Sequence, residues 1–118
     1  MKTIFIIDDC DTNLVKAEEI LEDHFRTFTF SSADKMFAFL EKIIPDLILL
    51  DIEMPVMNGF EALERLKSDN SKANIPVFFL TATVNASIEE RSAKLGAVGI
   101  ISKSFSPAEL LDRINSVI

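Results

Sequence analysis

Apolar residues fall into two alternating kinds of run along the chain. Short runs occur at KTIFII (2–7), DLILL (46–50), PVFFL (76–80) and VGIIS (98–102), and all four read as strands. The middle two are apolar without a break from Leu47 to Leu50 and from Val77 to Leu80, which predicts strands covered on both faces. TFTF (27–30) alternates polar and apolar positions instead, a pattern that suits an edge strand. Between these runs lie five segments of helical period. Leu14, Ala17, Leu21 and Phe25 share a face of the first, and Met36, Phe37, Leu40, Ile43 and Ile44 a face of the second. Phe60, Leu63 and Leu66 mark the third. The fourth, about 85–96, is the least apolar, with Ile88 and Leu95 as its core candidates. The fifth opens on Ser106-Pro107-Ala108-Glu109, which reads as a capping box with Pro at the first helical position, and continues through Leu110, Leu111, Ile114 and Val117.

The order is therefore (βα)5. Alternating units of this kind build an α/β fold, a doubly wound parallel sheet with helices on both faces and right-handed crossovers. The common five-stranded solution has order 2-1-3-4-5, and its crevice opens at the carboxyl ends of strands 1 and 3, where the winding reverses.

Length and charge narrow the picture. A chain of 118 residues, 48% hydrophobic and 26% charged, suits one soluble domain with a full core, residues 1–118. No apolar run approaches the roughly 20 residues of a membrane span. The N-terminal MKTIFIIDDC meets acids at once and reads as a strand, not a leader. Cys10 is the only cysteine, so no intrachain disulfide forms, and a reducing cytoplasm is the expected location. A net charge of −7 argues against direct nucleic-acid binding, which needs clustered Lys and Arg.

On that frame the polar residues converge. Strand 1 ends in Asp8-Asp9, strand 3 in Asp51, strand 4 in Thr81, and strand 5 in Ser102-Lys103. The topology gathers them at one sheet edge although they span about a hundred residues of sequence. Three clustered carboxylates repel one another, and one keeps its proton unless a cation intervenes. Mg²⁺ is the expected cation, because it takes one or two carboxylates and keeps several waters. A metal, an ammonium and a carboxylate nucleophile together form the parts of phosphoryl transfer to an aspartate.

The Asp-Asp pair after strand 1, LLDIEMPVMNGFE, FLTA and the ISK segment resemble the receiver domain of two-component response regulators, over the whole chain. The resemblance implies the flavodoxin-like receiver fold and names Asp51 as phosphoacceptor. It implies that Asp9, Asp51 and the main-chain carbonyl of Glu53 ligate Mg²⁺, with Asp8 helping through water. Thr81 would move to bond the new phosphoryl group, and Lys103 would pair with it. A histidine kinase or histidine phosphotransfer protein would be the donor. The result is a regulatory switch, which assists its own phosphorylation and dephosphorylation, rather than an enzyme. Its response would appear on the surface of helix 4, strand 5 and helix 5. An effector domain on a longer chain is a second expected partner; the chain reads equally as a freestanding regulator.

Two positions depart from that pattern. Ser104 follows Lys103 where the family commonly has Pro in a cis peptide, so either this loop is trans with Lys103 placed differently, or a strained bond is retained. Ile100 stands where receivers often carry Tyr or Phe, which removes an aromatic rotamer switch. Lesser sites have two readings each. Glu53 and Thr83 either flank the phosphoryl group or are solvated. Asp11 and Thr12 read as caps of helix 1, Cys10 as a loop residue and His24 as a helix-end residue. Pro55 and Gly59 read as the stiff and the tight parts of the loop into helix 3, with Asn58-Gly59 an ordinary turn signal.

Three other functions compete. FIIDDCDT superficially resembles the nucleophile motif of haloacid-dehalogenase-type Mg²⁺-dependent phosphatases, but the chain is short and no late acidic pair completes such a site. A flavodoxin-like cofactor binder needs a Ser/Thr/Gly-rich loop where this chain is acidic. A receiver-like module that binds partners without phosphorylation draws support only from Ser104 and Ile100.

Overall fold

A computed structural model describes all 118 residues. Five strands, β1 (Thr3–Ile7), β2 (Arg26–Phe30), β3 (Leu47–Asp51), β4 (Val77–Thr81) and β5 (Gly99–Ser102), alternate with five helices. These are α1 (Asp11–Leu21), α2 (Ala33–Leu40), α3 (Gly59–Lys67), α4 (Ala86–Leu95) and α5 (Pro107–Asn115). The sheet is parallel throughout, in the order β2-β1-β3-β4-β5 expected from the sequence. None of the helices is long and apolar enough to cross a membrane.

Strand pleat splits the core in two. Ile4, Ile6, Leu47, Leu49, Phe78, Leu80 and Ile101 face α1 and α5, where Leu14, Ala17, Leu21, Leu110 and Ile114 meet them. Phe5, Ile7, Ile48, Leu50, Val77 and Phe79 face the other layer, packed by Met36, Phe37 and Leu40 of α2 and by Phe60, Leu63 and Leu66 of α3. Each fully buried large side chain contributes on the order of 2–3 kcal/mol of transfer free energy. β1, β3 and β4 are buried at every position, as unbroken apolar runs require, whereas β2 and β5 at the two edges are mostly half-buried. Phe28 and Phe30 of β2 lie edge-on to Phe5, at centroid distances of 5.9 and 5.0 Å.

Three local expectations need correction. In α4 the buried residue is Ser92, and Ile88 and Leu95 only lean on the core from half-buried positions. In α5, Ser106 accepts a hydrogen bond from the Glu109 amide (3.2 Å), but the reciprocal capping box occurs at α3. There the Asn58 side chain accepts from the Glu61 amide (2.9 Å), and the Glu61 carboxylate accepts from the Asn58 amide (3.0 Å). Asn58 is thus a cap as well as a turn residue. Finally, α1 has Cys10 at its N-cap position with no side-chain bond; Asp11 is already helical, where its charge favours the helix dipole.

Candidate functional site

Register places the acids. Ile7 pairs with Leu50, so the next residues, Asp8 and Asp51, stand side by side at the carboxyl edge. Asp51 pairs with Leu80, and Thr81 with Ser102, which delivers Thr81 and Lys103 to the same edge. Asp8 and Asp51 are essentially fully buried, Asp9 is exposed, and one carboxylate oxygen from each lies within 4.8 Å of the others.

The two buried carboxylates are aimed by their own backbones. The Cys10 amide donates to Asp8 Oδ1 (2.9 Å), and the Glu53 amide donates to Asp51 Oδ1 (3.2 Å). Both are bonds from residue i+2 back to the side chain of i, which fix rotamers locally. Lys103 then bridges them, with its Nζ 3.1 Å from Asp8 Oδ2 and 3.0 Å from Asp51 Oδ1. Asp8 Oδ2 has only that ion pair and no well-aligned hydrogen bond, and Asp51 Oδ2 has no donor at all.

Electrostatics follow from that shortage. Burial pushes the Asp51 carboxyl from 3.8 up to about 7, with the Asp8 charge adding to the rise; Lys103 and the Glu53 amide oppose it. Burial alone would lower Lys103, but its bonds and charge pairing with Asp51 and Asp8 win and hold it above its ordinary value. One ammonium cannot satisfy three carboxylates. Two buried oxygens without hydrogen bonds, in an all-oxygen donor set, fit a hard divalent cation such as Mg²⁺. Glu53 offers its amide to the site while its side chain is exposed.

Thr81 is buried, and its hydroxyl is already engaged. Oγ1 donates to the Thr83 carbonyl (3.0 Å) and accepts from the Thr83 amide (3.1 Å), a closed turn at the start of the β4–α4 loop. Gly59 is fixed by close approach, since a Cβ there would lie 2.4 Å from the Asp51 carbonyl oxygen and 2.8 Å from Ile52 Cα. Its amide also bonds the Ile52 carbonyl (2.8 Å). The loop between them contains a strained residue: Val56 has φ 70°, with the Met57 amide bonded to the Pro55 carbonyl (2.9 Å) across it. A β-branched side chain in that region is a genuine outlier.

A family model, the response regulator receiver domain, matches residues 4–115 of this chain. The chain belongs to that family. Among its relatives is a probable cyclic di-GMP phosphodiesterase of Vibrio cholerae serotype O1. That protein is 33% identical over 114 residues, 97% of this chain and 26% of its own length. The heme response regulator HssR of Staphylococcus saprophyticus is 34% identical over 119 residues, covering 100% of this chain and 52% of the relative. The chain therefore spans about a quarter to a half of the length of these relatives. Among solved structures, Vibrio cholerae chemotaxis protein CheY4 superimposes with a TM-score of 0.95 at 25% identity, over 100% of this chain and 99% of that one. Receiver domains typically bind Mg²⁺ at an acidic pocket, and Asp8, Asp9 and Asp51 form an acidic cluster here. The phosphatase and flavodoxin readings draw no support from these likenesses.

In this receiver domain the two departures have distinct outcomes. Every peptide bond is trans, including Lys103–Ser104, and Lys103 nevertheless reaches both acids. Ile100 is half-buried and lines a groove of ≈ 310 Å³ beside Val84, Ser92, Ala97 and Arg113. Sequence reasoning missed the amides of Cys10 and Glu53 as orienting donors. Their signal was available, since an Asp two residues ahead of a free amide is a common local bond.

Proposed function

We propose that residues 1–118 act as one receiver domain whose phosphoacceptor is Asp51, in a two-component phosphorelay. The reading rests on Asp51: a buried carboxylate at the switch point, with Oδ1 held by Glu53 and Lys103 and Oδ2 unpartnered.

An oxygen of ionised Asp51 attacks phosphorus, forming an acyl-phosphate O–P bond. The bond to the donor breaks, and its electron pair leaves with the donor nitrogen or oxygen. Asp8, Asp9, Asp51 and the Glu53 carbonyl would hold Mg²⁺, which supplies charge neutralisation for the phosphoryl oxygens. Lys103, already 3.0 Å from Asp51 Oδ1, transfers its ammonium from the carboxylates to a phosphoryl oxygen. Thr81 donates to another phosphoryl oxygen only after its hydroxyl releases the Thr83 carbonyl, so loading Asp51 pulls on the β4–α4 loop. That exchange links the chemistry to the surface of α4, β5 and α5.

The family is regulatory, and its members work with kinases and effector domains. A histidine kinase or phosphotransfer protein is the proposed donor here, and an effector on a longer chain the proposed recipient. A lone Cys10 and the absence of a spanning helix agree with a cytoplasmic site.

The test is a mass spectrum after treatment with a small phosphodonor and Mg²⁺. Wild-type protein gains one phosphoryl group, and Asp51→Asn gains none. Equal labelling of the two proteins removes Asp51 from the role.

A further inference from the structure

Lys103 does its work from a loop that lacks the proline its family commonly uses, so something else must hold that loop. Four hydrogen bonds within the loop and to β4 do part of this. The Lys103 amide donates to the Thr81 carbonyl (2.9 Å), and the Phe105 amide donates to the Ser102 carbonyl (3.1 Å). The Ser102 and Ser104 hydroxyls lie 2.8 Å apart, and the Ser104 amide donates to Ser102 Oγ (3.3 Å). The Lys103 carbonyl is taken by a residue 87 positions away. Lys16 Nζ on α1 donates to it at 3.1 Å. The same ammonium sits 4.3 Å from the centroid of the Phe105 ring, which is buried against the α1/α5 side of the core.

We infer that Lys16 is a positioning residue for Lys103: a staple from α1 across the β5–α5 loop that keeps the Lys103 ammonium aimed at the acid pocket. Lys16 has no ion pair with Asp8, Asp9 or Asp51, so its effect on the pocket passes through the loop that carries Lys103. Its side chain is exposed and its stem is not part of the core. Two weak contacts made by one ammonium act on both sides of Ser104, on the carbonyl before it and on the ring after it. Their loss frees the peptide that a proline would otherwise stiffen. Small errors in aim are costly to group transfer, so a weak staple has a measurable kinetic effect.

This inference deepens the proposed phosphoacceptor role and rests on it, so its test carries one readout that does not involve phosphorylation. Lys16→Met keeps the stem and removes the charge; Lys16→Arg keeps a donor and a cation over the ring. Without Mg²⁺ or donor, amide hydrogen exchange at Lys103 and Phe105 speeds up about 3–10-fold in Lys16→Met and returns toward wild type in Lys16→Arg. With a small phosphodonor and Mg²⁺, Lys16→Met slows phosphorylation by a similar factor, about 3–10-fold. In a Lys103→Ala background the same substitution has no further effect. Unchanged exchange in Lys16→Met overturns the staple even if Asp51 is phosphorylated normally. A rate loss that persists undiminished beside Lys103→Ala also overturns it, by showing that Lys16 acts elsewhere. A wild-type protein that takes no phosphoryl group removes the phosphoacceptor reading, while the exchange comparison still decides the staple.

Discussion

The centre of the sheet and its β5 edge are packed very differently. Around β1 and β3, every strand residue is buried, the acids are clamped by backbone amides, and Gly59 fits against Asp51 with no room for a methyl group. Around α4 and β5, Ser92 is the only fully buried helix residue and Ile101 the only fully buried strand residue. Ile88 and Leu95 are half-buried against the core, and Ile100 is half-buried in the wall of an open groove. An Arg91 guanidinium over the Phe60 ring, 4.1 Å from its centroid, is one of the few side-chain ties from α4 to α3. Such a tie contributes about 0.5–1 kcal/mol at an exposed site. The contrast teaches where a switch can store its two states. The pocket that must hold charges to within fractions of an ångström is over-determined, and the element that must move is the one with least burial to lose. Thr81 lies at the border, buried like the first region and bonded into the loop of the second.

Unequal stability losses across the sheet give the largest predicted effect. Phe79→Ala, in the densely packed half, costs about 3–5 kcal/mol by cavity formation. Leu95→Ala, in the looser α4 region, costs only about 1–2 kcal/mol, because that side chain is only partly buried. Paired urea melts measure both, and equal losses would erase the contrast. Gly59→Ala comes next, at about 3 kcal/mol, because its Cβ meets backbone atoms that cannot yield without moving the Asp51 strand end.

The pH dependence of Asp51 is smaller and has a definite sign. Its folded value of about 7 lies above its ordinary 3.8, so the folded protein keeps a proton that the unfolded chain releases. The Asp51 contribution to stability is full below about pH 4 and is lost as pH rises through 7. Asp51→Asn, which has no charge to bury, therefore gains about 1–3 kcal/mol at pH 8 and little at pH 4. Melts of the two proteins across that range show converging curves at the acid end; parallel curves contradict the assignment. The smallest effect sharpens the loop between the regions. Val56→Gly relieves a positive φ at a side chain 95% exposed, and raises stability by about 1 kcal/mol.

Much of the architecture was legible because its signals are local and redundant. The unbroken runs at Leu47–Leu50 and Val77–Leu80 read as strands buried on both faces, and strand order then brought Asp8, Asp51, Thr81 and Lys103 to one edge. Weak periodicity hid the packing of α4, where a small polar residue, Ser92, takes the buried position that Ile88 and Leu95 would be expected to fill. Asn58-Gly59 looks like a turn and conceals a cap, since both uses need the same residues. Val56 gave no warning of its left-handed backbone, because the surrounding fold imposes it against the residue's own preference. The Lys16 contact was invisible for a simpler reason: nothing in a sequence links an α1 lysine to a carbonyl 87 residues on.

On the proposed function, chemistry at the acid pocket is expressed as motion around α4 and β5. Hydrogen exchange measured before and after loading with a small phosphodonor and Mg²⁺ tests it most directly. Protection is predicted to change mainly between residues 82 and 103, from the loop freed by Thr81 through α4 and β5, while β1 and β3 stay as they were. A response confined to the acid pocket, or spread evenly over all five strands, would contradict it.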